Sequence, residues 1–482
     1  MMKDTTSKIT VQTMTMWRKK FVRRLFELFL CVITAPSSAK IIGTFVIPHG
    51  DFAYDPSLVN NTNGSRHVHR AAVALGAAIA NARPDIVLLS TPHGVAADRD
   101  FLLYENSAAE GYADVGLDLQ DPVKYPPYRV DLSNVSMDGQ LATALVQEGR
   151  SRGLNVSGLL SFGDDQPQQL GWGEVIPLSF LNATLQTGGS RVVVVSSPSR
   201  RYSEEAESMV QELLTMGRFF FDYLDNAINE TVAVVASADL AHTHLQSGPY
   251  GYSPAAEPFD LAVGAWAATL EGTWLTDTAA ALADDALSCG FTGMVMIQGL
   301  IAASQEQEQQ QKEQQQQQQQ HAREGSAVVG SSPSSSSNSS WSSFLLADRH
   351  PTYYGMMVAA ALPPDDEDKT AKEEDGMVVE DDDGARRRRA AERQRTLRRE
   401  VREAFMFARG EGNAEEADAR SSSIGPLSYA ATAAAAARAD RRGEAKAKAK
   451  AKSGTAGVGG GMVGRRGRAA AIDFVRRRRD GY

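Results

Sequence analysis

The stretch VASADLAHTH, residues 235–244, joins a run of small and β-branched residues to an aspartate and two histidines. Residues 232–236 read as a buried strand, because β-branched and small apolar side chains suit a sheet covered on both faces. Asp239, His242 and His244 then stand just past the strand's end. In open α/β sheets ligands bind outside that end. Histidine is the commonest protein metal ligand and titrates near neutrality, so the stretch raises a metal or acid/base site. Asp239 stands three residues before His242, where it can orient the imidazole or cap a following helical turn.

Other segments read the same way. KIIGTFVIP (40–48), DIVLLSTPHG (85–94) and SRVVVVSSPSR (190–200) are expected strands, and YYGMMVAAAL (353–362) an expected last one. HVHRAAVALGAAIANARP places Ala and Leu at helical spacing with Pro84 beyond its end, and residues 204–226 continue in helical sequence. Apolar runs separated by helices predict an α/β fold, a mainly parallel central sheet covered by helices on both faces. Three of the strands end in His49, His93 and His242, two of them in the wording Pro-His-Gly. Glycine after the histidine lets the backbone turn sharply and frees space beside the imidazole. Ends of parallel strands converge on one crevice, so three such histidines point to a shared site. His67 and His69, at the start of a helix, are expected to be exposed, and His321 lies in a glutamine tract.

The apolar residues crowd into one part of the 482-residue chain. This predicts a single catalytic domain (40–303 and 344–363) carrying a Gln/Ser-rich disordered insertion (304–343) that is dispensable for folding. Residues 364–482, with their acidic and arginine runs, read as a disordered charged tail. A secondary reading docks RRRRAAERQRTLRREVREAF on an acidic partner or a membrane surface. The net charge of −9 gives no support for nucleic-acid binding. Residues 1–39 read as a targeting segment, with a basic start, a short apolar run at 25–35 and small residues before Lys40. Signal peptide and transit peptide are both open, and the run is too short for a membrane span. Asn-x-Ser/Thr acceptors begin at Asn60, Asn63, Asn134, Asn155, Asn182, Asn229 and Asn338, which favours the secretory pathway over the cytoplasm. Of two cysteines, Cys31 lies in the targeting segment, leaving Cys289 without a disulfide partner.

The ordered pieces VIPHG, LLSTPHG, GWGEVIPL, SADLAHTH, GPYGYSPAAEPFD, SCGFTG and HPTYYGMMVAA together resemble the class III extradiol ring-cleavage dioxygenase superfamily, catalytic (B) subunit type. The resemblance implies a non-haem metal, Fe(II) first with zinc or copper as alternatives, and a small aromatic diol and O2 as reactants. It implies that His49 and His93 are metal ligands and that His242 is the catalytic histidine. The family's glutamate ligand has no counterpart in ALSCGFTGMVMIQG, where Cys289 stands instead, as in Memo-like relatives. Trp172 stands where several members place another histidine. His244, His350 and Tyr353 are expected to contact substrate. Glu174, Asp51 or Asp239 could supply a carboxylate ligand instead, without a counterpart in the family. Three functions follow: an extradiol dioxygenase; a Memo-like metal-binding redox or signalling protein without ring cleavage; and a zinc hydrolase using Asp239 or Glu174. Homo-oligomerisation is left open.

Overall fold

The computed structural model describes residues 41–59, 62–116, 126–163, 166–187, 189–324, 340–364 and 382–410. The expected targeting segment lies outside them. Eleven strands are described: β1 (Ile41–Ile47), β2 (Ile86–Thr91), β3 (Phe101–Tyr104), β4 (Ala108–Val115), β5 (Tyr128–Ser136), β6 (Val156–Leu159), β7 (Gln168–Leu170), β8 (Arg191–Ser196), β9 (Val232–Ser237), β10 (Ser342–Arg349) and β11 (Met356–Leu362).

Eight of them form one sheet in the order β10-β11-β1-β9-β2-β8-β3-β6. The centre, β1-β9-β2-β8, is parallel, with Ile47 opposite Ser237 and Ser90 opposite both Ala236 and Val195. Every residue of β1, β2 and β9 is buried. Such strands need apolar side chains on both faces, which is why they read as unbroken VAVVAS and IVLLST rather than as alternating patterns. The antiparallel hairpin β10–β11 closes one edge and β3–β6 the other. Two apolar clusters fill the two faces. One is built with the helices Ala206–Asn226 and Phe291–Glu324, the other with the helix Thr62–Ala82. A smaller sheet, β5-β4-β7, stands apart.

Three expectations need correction. The last strand begins at Met356, and Tyr353 and Tyr354 precede it in a turn. The insertion does not begin at Ser304: the helix Phe291–Glu324 runs on through the glutamines, which are good helix formers and inherit a nucleated helix from the core. Ser304 is buried and accepts the Trp341 indole N–H at 3.1 Å, while Glu306 forms a two-bond pair with Arg218. Removing residues 309–339 behind a short linker is therefore expected to cost less than about 1 kcal/mol, since loop length enters stability only logarithmically. A cut from 304 to 343 should lower the melting temperature clearly, and equal melting of the two deletions would contradict this packing.

The tail is corrected as well. Residues 382–410 form a helix, Asp382–Gly410, that buries Ala390, Leu397, Val401, Ala404 and Ala408. It packs along the helix Thr62–Ala82. Gln394 donates to the Pro364 carbonyl at 2.8 Å, Arg398 to the Ser342 hydroxyl at 3.0 Å, and Arg393 to Asp85. The arginine-rich composition hides an apolar stripe at helical spacing, and that stripe docks on the domain itself. No helix among the described residues is long and apolar enough to cross a membrane.

Candidate metal centre

β9 lies between β1 and β2 in the sheet, so the segments leaving these three strands emerge side by side. They carry His49, His93 and the pair Asp239 and His242. The fourth contributor is Cys289, just ahead of the helix Phe291–Glu324. Its loop is fixed to the end of β9 by the Gly290 N–H, which donates to the Asp239 carbonyl at 3.0 Å. A Cβ on Gly50 would run into the Tyr354 ring, and one on Gly94 into the Tyr104 hydroxyl. The Pro-His-Gly wording thus reflects close approach behind each imidazole.

His49 is buried, and its hydrogen bonds assign its tautomer. Nδ1 lies 2.9 Å from the Ser237 hydroxyl. That hydroxyl donates its own hydrogen to the Gly173 carbonyl at 2.6 Å. It therefore accepts from Nδ1–H, which leaves the lone pair of the neutral ring on Nε2. Nε2 faces Cys289 Sγ at 3.2 Å and Asp239 Oδ2 at 3.4 Å. Burial first, then the charges of His242 and Arg201, bring the His49 pKa down to about 3. Burial pushes Asp239 up to about 8, against the backbone N–H groups of His49 and Gly50 that hold it down. Both shifts disfavour the charged forms, so burial works against an ion pair between them. Burial also pushes the Cys289 thiol far above its usual range, with Asp239 adding to the shift. The thiol keeps its proton until a metal displaces it.

His93 is half-buried. Its ring meets His49 edge-on at 4.8 Å between centroids and stacks on Trp172 at 4.6 Å. Ligand atoms of His49, His93 and Cys289 lie within 4.8 Å of one another. Around a tetrahedral zinc, neighbouring nitrogen and sulfur donors stand about 3.3–3.7 Å apart, so a small adjustment closes the trio on one ion. Two imidazoles and a thiolate suit zinc, copper or iron, and this donor set fits the metal the resemblance implies. Asp239, His242 and Cys289 form a second trio of the same span.

His242 is held differently. Its Nδ1 lies 2.9 Å from the Leu240 carbonyl, which can only accept. Nδ1 therefore carries the hydrogen and Nε2 the lone pair. Burial lowers the ring's pKa to about 4. The ring stacks on Tyr354 at 5.5 Å and meets Tyr250 edge-on at 5.8 Å.

The remaining expected residues divide. Tyr353 stays beside His242, 6.3 Å between rings. His244 and His350 turn to each other, stacked at 4.2 Å with 6° between planes. His244 binds Asp260 at 2.7 Å and the half-exposed His350 binds Glu257 at 3.1 Å. His244, Glu257 and His350 thereby form a third group whose ligand atoms lie within 4.8 Å of one another. Asp239 neither orients His242 nor caps a helix. It braces the His49 backbone N–H at 3.2 Å and bridges to Met356, because no helix follows β9 directly. Glu174 accepts the Gly171 N–H and the Tyr104 hydroxyl, both at 3.1 Å, and caps the helix Trp172–Phe180. Asp51 accepts the Gly116 N–H. Both carboxylates are thus committed to the fold. His67 and His69 are half-buried, bonded to the carbonyls of Ala408 and Ala53; the first partner belongs to the docked tail helix.

Sequence reasoning missed Ser237, Tyr250, Tyr354 and Arg201. Ser237 stands inside the quoted stretch, where a lone hydroxyl at a strand end is the available signal. Arg201 follows β8, stacks over Tyr202 at 3.8 Å, and donates to the carbonyl of Pro92, next to His93. No carboxylate among the described residues pairs with it. Its charge acts on both His49 and Cys289.

The family model for the catalytic LigB subunit of aromatic ring-opening dioxygenase matches residues 44–330. The chain belongs to this LigB family. The matched segment contains His49, His93, His242 and Cys289, and LigB dioxygenases are metalloenzymes. Among solved structures, this LigB chain is similar to that of the uncharacterized protein JW3007 from Escherichia coli K12. The identity is 14%, with 66% of this chain and 98% of that chain covered and a TM-score of 0.36. No curated protein matches the chain.

Proposed function

We propose that this LigB-family chain opens the ring of a catechol-type diol with O2 by the extradiol route. His49, His93 and Cys289 would hold a non-haem metal, Fe(II) first, and His242 would handle the proton. The observation that carries this reading is the convergence at one strand end of the three donor atoms with a histidine whose Nε2 is left as an acceptor. A metal in that nest supplies Lewis-acid and one-electron chemistry. The protein supplies the rest. His242 Nε2 can take a diol proton and later return it. Tyr250, Tyr353, Tyr354 and Trp172 surround the centre with aromatic surface suited to a flat ring. Arg201 offers a guanidinium to an acidic ring substituent.

The thiol favours a second reading, a Memo-like metal-binding redox protein without ring cleavage. One experiment separates the two. Protein loaded anaerobically with Fe(II) is mixed with neutral and carboxylated catechols while oxygen uptake and ring-opened product are followed. The dioxygenase reading expects uptake matched by product. Tight metal binding with no uptake on any catechol would leave the redox reading standing.

A further inference from the structure

We infer that the chain is an N-glycoprotein, carrying oligosaccharide at Asn134, Asn155, Asn182 and Asn229. Seven of the twelve asparagines in the chain begin an Asn-x-Ser/Thr acceptor. Serine and threonine make up 65 of 482 residues, so chance would place about one or two such acceptors among twelve asparagines. The excess calls for a cause beyond composition.

The structure adds a second, independent observation. All four acceptor asparagines whose side chains are described are exposed. The one buried asparagine among the described residues, Asn106, donates to three backbone carbonyls and begins no acceptor. Asn229 and Asn182 also stand away from the metal centre. Asn229 stands ahead of β9, at the opposite end of that strand from His242. Asn155 precedes β6, the outermost strand of the large sheet. Asn182 lies beyond the far end of the nine-residue helix that starts at Trp172, about 13 Å of helix away. Asn134 is on β5, in the small sheet.

Each site tolerates the modification. The transfer joins the amide Nδ2 to the anomeric carbon of a lipid-diphosphate-linked oligosaccharide; the lipid diphosphate leaves and Nδ2 gives up one of its two hydrogens as a proton. Asn155 Nδ2 donates to Glu212 at 2.8 Å, and the remaining hydrogen keeps that bond. Asn134 has a practical use for a glycan. β5 is an edge strand with six of its nine residues exposed, and open edges invite pairing with other chains. A bulky hydrated group there blocks such pairing. The lumen where the transfer occurs is oxidising, and the one cysteine described, Cys289, is buried away from it.

The test is expression of the full chain, with its own N-terminal segment, in a eukaryotic cell. The purified protein is treated with a glycosidase that converts glycosyl-asparagine to aspartate, and its peptides are read by mass spectrometry. The expected result is a loss of mass on treatment, with positions 134, 155, 182 and 229 read as aspartate. Asn134→Gln and Asn229→Gln should each remove one glycan without lowering the melting temperature. Ser136→Ala removes the same acceptor as the first while leaving Asn134 in place, should that variant misfold. Unmodified asparagine at all four positions would overturn the inference, whatever the outcome of the oxygen-uptake assay.

Discussion

Replacing His49 with alanine is expected to weaken metal binding by more than about 100-fold. Changes to groups that merely support a ligand already cost 10- to 100-fold. His49 is 1% exposed and its Nε2 looks directly at the Cys289 sulfur, so its loss removes a donor from the middle of the trio. The variant leaves a thiol and a buried acid facing a cavity, with His93 the remaining imidazole of the trio. His93→Ala should lose the metal too, with less damage to stability because that ring is half-buried. Ser237→Ala is the graded control. It removes the acceptor that assigns the His49 tautomer but keeps every donor atom, so a loss within the 10- to 100-fold range is expected. Metal content after dialysis against a fixed free-ion concentration checks all three. Full occupancy in both histidine variants would remove this centre from the protein.

How much of this centre is legible in the sequence depends on the kind of residue. His49, His93 and His242 are legible because each is polar and follows an unbroken apolar run, so strand end and ligand are read together. The glycines after the first two histidines are legible for the same reason, and the structure shows the contacts that require them. Cys289 is different. A buried cysteine looks like core, and only its place in ALSCGFTG relative to the family wording singles it out. Tyr354 and Arg201 are not legible at all: one reaches the centre from a bend and the other from the short 3-10 helix Ser199–Tyr202, and their placement is set by contacts far away in sequence, such as the Phe52 N–H held by the Tyr354 hydroxyl. His244 and His350 mislead for the opposite reason. Their types suit a site, but Asp260 and Glu257, unremarkable in sequence, draw them aside. At the level of fold, the covered parallel strands are readable from their apolar runs. The helix over 304–324 is not, because composition there argues for disorder; within 382–410 the arginine-rich run reads as a helix candidate, but its docking on the domain itself does not show. The deciding terms are tertiary: a core helix to extend and an open flank of the helix Thr62–Ala82 to cover.

His242→Ala is expected to keep its metal and lose turnover by about 10²- to 10⁴-fold, the scale of a lost acid/base group. The backbone at this position stays in place without the side chain, because the His242 N–H donates to the Ala286 carbonyl at 2.8 Å and the Ala241 N–H to Asp260 at 2.9 Å. The ring itself is fixed through Nδ1 to the Leu240 carbonyl, so what the variant deletes is the Nε2 lone pair and the aromatic contact with Tyr354. His242→Gln separates the two losses. It restores much of the volume and a polar tip but cannot cycle a proton near neutrality, so its turnover should remain close to that of the alanine variant. Recovery in His242→Gln would assign His242 to packing or orientation instead. His244→Ala should act through stability, since it breaks the pair with Asp260 and the stack on His350, and its turnover per folded molecule should change far less. The alternative trio of Asp239, His242 and Cys289 makes the contrary prediction. If the ion sits there, His242→Ala loses metal together with turnover, while His93→Ala keeps it. Both trios share Cys289, so the metal must displace a thiol proton in either; the second must also displace the proton that burial favours on Asp239, whereas His49 and His93 need lose none.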